Sequence, residues 1–180
     1  MKTNQILIAG FGGQGVLFTG KMLAYKGMYE GKEVSWLPSY GPEMRGGTAS
    51  CSVILSDSAI GSPIVTEPNV LIAMNLPSYD KYECTVEKGG KVFVDSSLIA
   101  RGAARDDVNT YFIPATRIAS ENGIPTLANM IILGKVIKET GVMPLENVER
   151  TLKKVISAKR ADMLEINMKA VKLGYDYEGK

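Results

Sequence analysis

The chain has 180 residues, 45% of them hydrophobic and 22% charged, with a formal charge of +2. That length suits one domain with a full core, and the near-neutral charge gives no reason to expect a nucleic-acid partner. Histidine is absent and the only cysteines are Cys51 and Cys84, so a Ser–His–Asp or Cys–His mechanism, a disulfide framework and a four-ligand metal or cluster site are all excluded for this chain alone.

The first element is an apolar strand over Gln5–Ala9. It runs directly into Gly10-Phe11-Gly12-Gly13-Gln14-Gly15, and a helix follows over roughly residues 15–30. Phe18, Met22, Tyr25 and Tyr29 share one stripe of that helix, and Gly31 stands where a left-handed cap is wanted. A second strand is predicted over Val34–Leu37, closed by Pro38. Tyr40-Gly41-Pro42-Glu43-Met44-Arg45-Gly46-Gly47 is too rich in Gly and Pro for an element interior. Thr48–Leu55 alternates as a strand, Ser56-Asp57-Ser58 is a turn, and residues 59–68 could form a short edge segment.

Val70–Met74 is a continuous apolar run, as expected of a strand covered on both faces. A helix over about 77–87 and a buried strand over Lys91–Asp95 follow, then a strand at Tyr111-Phe112-Ile113. Residues 115–122 read as a helix ending at Gly123. Thr126–Thr140 reads as a longer helix that is apolar almost all round and therefore buried. Pro144 suits the first turn of a helix whose Leu145, Val148, Leu152 and Val155 share a face. A last helix over about 159–173 stops at Gly174, and no clear element is predicted beyond it. Strands alternating with helices over short connections predict a single α/β domain, residues 1–180, with a mostly parallel, Rossmann-like sheet flanked by helices. No apolar run approaches the ~20 residues of a membrane span, and Met1-Lys2 leads almost at once into the first strand without a secretion signal. With two unpaired thiols this reads as a soluble, cytoplasmic chain with no membrane association.

Two glycine-rich turns are the candidate functional features. Gly10, Gly12 and Gly15 fit G-x-G-x-x-G, a strand–turn–helix pattern that brings backbone amides and a helix N-terminus against an anionic group. The plainer reading is that the glycines only permit a tight turn and close helix–strand packing. A dinucleotide site also wants an acidic residue at the end of the second strand, but that strand ends in Trp36-Leu37-Pro38-Ser39, with Glu33 at its beginning. No Gly-Lys-Ser/Thr follows, so a nucleotide P-loop fails as well. Gln14, beside the helix start, has donors and an acceptor for a ligand or a neighbouring chain. In the second turn Arg45, flanked by Gly46 and Gly47, has the fork geometry for a phosphate or carboxylate, with Glu43 to orient it; an Arg45–Glu43 contact or an exposed arginine is the plainer alternative. Parallel sheets bind ligands beyond the carboxyl ends of their strands, so both turns should share one rim. Cys51 reads as core, and the basic residues of the last helices read as a solvated face. Asn129, inside the buried helix, needs polar partners and could serve a subunit contact or a ligand.

At these motifs the chain resembles the gamma subunits, or gamma domains, of 2-oxoacid:ferredoxin oxidoreductases. The resemblance rests on Gly10-Phe11-Gly12-Gly13-Gln14-Gly15-Val16, on Tyr40-Gly41-Pro42-Glu43-Met44-Arg45-Gly46-Gly47, on Ser56-Asp57 and on Asn129-Met130, and it spans nearly the whole chain. The form of the second motif is most similar to the 2-oxoglutarate and branched-chain 2-oxoacid branch. The resemblance implies oxidative decarboxylation of a 2-oxoacid, 2-oxoglutarate first, with coenzyme A as co-substrate, giving an acyl-CoA and reduced ferredoxin. It implies thiamine diphosphate, Mg2+ and iron–sulfur clusters on alpha and beta subunits and a ferredoxin-like delta subunit, with ferredoxin as electron acceptor. No catalytic residue and no metal ligand is expected on this chain, which would not be catalytic alone. Gly10, Gly12, Gly13, Gln14, Gly15, Tyr40, Glu43, Arg45, Gly46, Gly47 and Asn129 are the expected ligand or subunit contacts. Two rivals remain: a stand-alone Rossmann-like oxidoreductase binding NAD(P) or a flavin, and a regulatory or scaffolding module without a cofactor.

Overall fold

A computed structural model describes residues 3–39, 48–157 and 160–179, apart from the side chain of Thr48. Six strands form one sheet in the order β2-β3-β1-β4-β5-β6, with β1 Thr3–Phe11, β2 Glu33–Ser39, β3 Thr48–Ser56, β4 Val70–Ala73, β5 Lys91–Asp95 and β6 Asn109–Ile113. The pairs β1–β4, β4–β5 and β5–β6 are parallel; only β3 runs against its neighbours, β1 and β2. The predicted mostly parallel sheet is therefore present. Its one reversed strand follows from the short return after β2, which cannot hold a right-handed crossover.

The helices are α1 Val16–Tyr29, α2 Leu76–Tyr82, α3 Ala115–Glu121, α4 Ala128–Thr140, α5 Asn147–Val155 and α6 Met163–Tyr175. They cover the two faces unequally. Ile6, Ile8, Cys51, Val53, Leu55, Ile72 and Phe93 face one large core with residues of α1, α3, α4, α5 and α6. Leu7, Leu71, Ala73, Val92 and Val94 face a smaller core built on Tyr79, Val86 and Ile99. Strand alternation thus sorts the side chains of β1, β4 and β5 between two cores of different size.

Several predicted boundaries move. Residues 59–68 form no strand, because Gly61, Pro63 and Pro68 leave no run of backbone donors for a ladder. The helix expected over 77–87 is α2 followed by a 3-10 turn, Glu83–Thr85. α4 begins at Ala128 after a 3-10 turn at Pro125–Leu127, and Pro144 precedes α5 by a turn instead of opening it. The last helix starts later than predicted and continues through Gly174 to Tyr175. Beyond it, the buried ammonium of Lys135 donates to the Tyr177 carbonyl at 3.1 Å and pairs with Glu139 at 2.9 Å, tying down the tail. Burial acts against the Glu139 carboxylate, yet Lys135, Tyr111 and Lys91 together hold the group below its ordinary pKa. Cys51 is fully buried, and burial pushes its thiol up to about 12, against a weaker opposing hydrogen bond from Trp36. That is an inert core thiol, as its place in the strand pattern predicts. No helix among the described residues is long and apolar enough to cross a membrane.

Candidate functional site

The sheet register settles where the first glycine turn lies. Ala9 pairs with Ala73, and Phe11 pairs with Thr48, so the turn after β1 stands at the carboxyl edge of the parallel strands. Ser39 pairs with Ser50 at the same end of the sheet. The chain therefore leaves β2 and re-enters β3 on the rim that carries Gly10–Gly15. Tyr40, Glu43, Arg45, Gly46 and Gly47 lie outside the described residues.

The turn is held from within. The Gln14 carboxamide accepts from the Phe11 amide at 2.6 Å and donates to the Met74 carbonyl at 2.9 Å. Gln14, expected to contact a ligand or a neighbouring chain, thus also bridges the ends of β1 and β4. Gly10 is buried under this bridge: a Cβ there would stand 2.7 Å from both Gln14 Oε1 and Met74 Cβ. Gly12 and Gly13 are exposed on the crest of the turn.

Gly15 does two jobs. Its φ of 75° is left-handed, and a Cβ would collide with the Asn129 carboxamide. That carboxamide, on buried Asn129, donates to the Gly15 carbonyl at 3.3 Å and to Thr19 Oγ1 at 3.1 Å. Asn129 is therefore a clamp that fixes the start of α1 from α4. No side chain caps α1 and no acidic residue stands in its first turn, so its leading amides remain donors toward the rim. Thr19, Met74 and the 129–15 contact were not legible as site features, because only the fold brings these distant positions together. The one sequence signal was a lone amide in an apolar helix.

Gly15→Ala should cost about 2–3 kcal/mol, the sum of a left-handed alanine and a displaced Asn129. Urea unfolding of Gly15→Ala, Asn129→Ala and the double variant checks this. The clamp is disproved if the two single effects simply add.

Below the turn, on the large-core side, lies a cleft of about 280 Å³ lined by Gly15, Phe18, Leu127, Asn129, Arg160 and Asn167 among others. It is apolar at Phe18 and Leu127 and polar at the two asparagines. Asn167 donates to the Met163 carbonyl at 2.7 Å, while its Oδ1 is buried without a partner. Among the described residues no cluster of Cys, Asp or Glu could hold a metal. At the end of β2 the position that a dinucleotide-binding strand gives to an acidic residue is held by Ser39.

The model of the pyruvate ferredoxin/flavodoxin oxidoreductase family matches residues 5–177. The chain belongs to that family. Its similarity to family members extends from end to end. It is 36% identical to the 2-oxoglutarate synthase subunit KorC of Methanocaldococcus jannaschii, over 96% of this chain and 92% of that one. It is 39% identical to the ketoisovalerate oxidoreductase subunit VorA of Methanothermobacter marburgensis, over 98% of this chain but 37% of VorA. The chain thus spans little more than a third of that longer relative. Among solved structures, the gamma subunit of a keto/oxoacid ferredoxin oxidoreductase from Geobacter sulfurreducens superposes with a TM-score of 0.84 at 28% identity, over 98% of this chain and 96% of that one. The family match does not favour the stand-alone dinucleotide reading, and Ser39 stands against it.

Proposed function

We propose that this chain is the gamma-type subunit of a 2-oxoacid:ferredoxin oxidoreductase acting in the cytoplasm. The complex would convert a 2-oxoacid and coenzyme A into an acyl-CoA and CO2, passing the electrons to ferredoxin. The observation that carries the reading is the end-to-end match with KorC, whose length this chain shares. The substrate proposed is 2-oxoglutarate, the one named for KorC; ketoisovalerate, named for VorA, is the alternative.

Alpha and beta subunits would carry thiamine diphosphate with Mg2+, and iron–sulfur clusters would sit on partner chains, including a ferredoxin-like delta subunit. Two cysteines cannot hold an iron–sulfur cluster, and among the described residues no group of Cys, Asp or Glu is placed to hold a metal ion. The chain's contribution is positional. The crest at Gly12 and Gly13, the uncapped start of α1 and the segment bearing Tyr40, Glu43, Arg45, Gly46 and Gly47 would present amides and one guanidinium to an anionic co-substrate or to a partner chain. The Gln14 bridge and the Asn129 clamp hold that crest at a fixed height above the sheet.

The test is reconstitution. Complex containing this chain should oxidise 2-oxoglutarate with coenzyme A and reduce ferredoxin, and omission of the chain should abolish turnover. Undiminished turnover without it would overturn the reading, as would NAD(P) or flavin binding by the isolated chain in calorimetry. Within the complex, Arg45→Ala should raise the KM for coenzyme A about tenfold, the loss of one charge-assisted contact. If both that KM and assembly stay unchanged, Arg45 has no such role.

A further inference from the structure

The cleft between α1, α4 and α6 has a polar wall that the fold itself does not use. Asn129 on α4 commits its carboxamide NH2 to the Gly15 carbonyl at 3.3 Å and to Thr19 Oγ1 at 3.1 Å. Asn167, on the facing helix α6, commits its own to the Met163 carbonyl at 2.7 Å. With both nitrogens taken, each side chain has only its oxygen to offer the cleft. Neither oxygen accepts a hydrogen bond among the described residues, although Asn129 is only 5% and Asn167 2% exposed. A buried acceptor left without a donor is costly, and a leucine of similar shape would pack there without that penalty. Two unmet acceptors on one cleft therefore point to a donor brought in from outside.

The remaining walls narrow the chemistry of that donor. Phe18, Leu127, Val155 and Met163 give the cleft an apolar body, and exposed Arg160 brings a guanidinium to its rim. Arg160 forms no ion pair among the described residues, and no described carboxylate lines the cleft. A bare amine would have no counter-ion there. A bare carboxylate would suit Arg160 but leave both asparagine oxygens facing nothing. A zwitterion meets both needs, because an ammonium has three donors to divide between two oxygens and a carboxylate fits the guanidinium fork. The volume of about 280 Å³ is at the small end for ligand pockets, which suits a single amino acid better than a nucleotide-sized molecule. We propose that this cleft binds one free α-amino acid with an apolar side chain. Asn129 and Asn167 hold its ammonium, Arg160 its carboxylate, and Phe18 and Leu127 its side chain. The occupant shares Asn129 with the start of α1, so binding also steadies the Gly10–Gly15 turn.

The lining comes from this chain alone, so the test does not depend on the subunit assignment. The full-length chain is titrated in a calorimeter with L-valine, L-leucine, L-isoleucine and L-phenylalanine. For the tightest binder, the matching acid without the ammonium and the amine without the carboxylate follow (for leucine, 4-methylpentanoate and 3-methylbutylamine). At least one amino acid should bind saturably, one molecule per chain, and both analogues should bind at least tenfold more weakly. Asn167→Leu and Arg160→Ala should each weaken binding at least tenfold. Asn167→Leu should keep a urea midpoint at or above that of wild type, a result that a purely structural asparagine would not give. Arg160 is exposed, so its variant keeps the test decisive even if the other fails to fold. No saturable binding by any of the four amino acids refutes the site, ordered water then being what the two oxygens hold. Binding that survives undiminished in either folded variant, or that the acid or the amine alone reproduces, refutes it too.

Discussion

Gly174→Ala should destabilise the chain by about 3 kcal/mol or more, although alanine is the better helix former by about 1 kcal/mol. α4 and α6 cross at two glycines. A Cβ on Gly174 would fall well inside contact of the Ile131 carbonyl, and one on Gly134 well inside contact of the Val171 carbonyl. Both obstacles are backbone, so no rotamer change relieves them and the helices must move apart. α4 cannot shift freely, because every residue from Ala128 to Ile137 is buried. The loss is a sizeable part of the 5–15 kcal/mol that holds a domain of this kind together. Urea denaturation with Gly134→Ala as companion measures it. A Gly174→Ala midpoint equal to wild type would mean that the helices do not approach as described.

The second large effect is expected at Glu83. Its carboxylate is buried and accepts from Tyr79 Oη at 2.7 Å and from the Ala104 amide at 3.0 Å, and it pairs with Arg101. Arg105 adds contacts to the carbonyls of Glu83, at 3.1 Å, and Val86, at 2.6 Å. Together these fasten the chain between β5 and β6 onto the 3-10 turn behind α2. Glu83→Ala removes the shared acceptor and should cost about 3–5 kcal/mol, with early proteolytic cleavage between residues 96 and 107. Glu83→Gln keeps an acceptor for Tyr79 and Ala104 while losing the charge opposite Arg101, so it should fall between wild type and alanine. A loss below about 1 kcal/mol in the alanine variant, with unchanged proteolysis, would show that this segment is held by its apolar contacts alone.

Glu83 also shows where sequence reading stops. In the sequence it is one acid among several near the end of a short helix. Its partners at 101 and 104 come from a segment with no periodicity to place them. Asn129 was different, because a polar amide in an apolar helix announces that it has a partner. Its partner, the start of α1, is more than a hundred residues away and could not be named. Gln14 is similar: in the sequence it is a polar side chain next to a glycine turn, and only the fold brings the Met74 carbonyl beside it.

Local chemistry by itself determined the elements and the family. Apolar runs, glycine stops and proline breaks placed the six strands and six helices of the described residues to within a few residues. The first glycine motif marked the carboxyl rim, and the two motifs together carried the resemblance that the family match then established. Period and turn chemistry act over a few residues, and a sequence carries them openly. The reversal of β3, the unequal cover of the two sheet faces, the Asn129 clamp and the Gly134–Gly174 crossing were decided by the tertiary structure. Each depends on which distant surfaces meet when the chain buries its apolar area, and that outcome is a property of the whole packing.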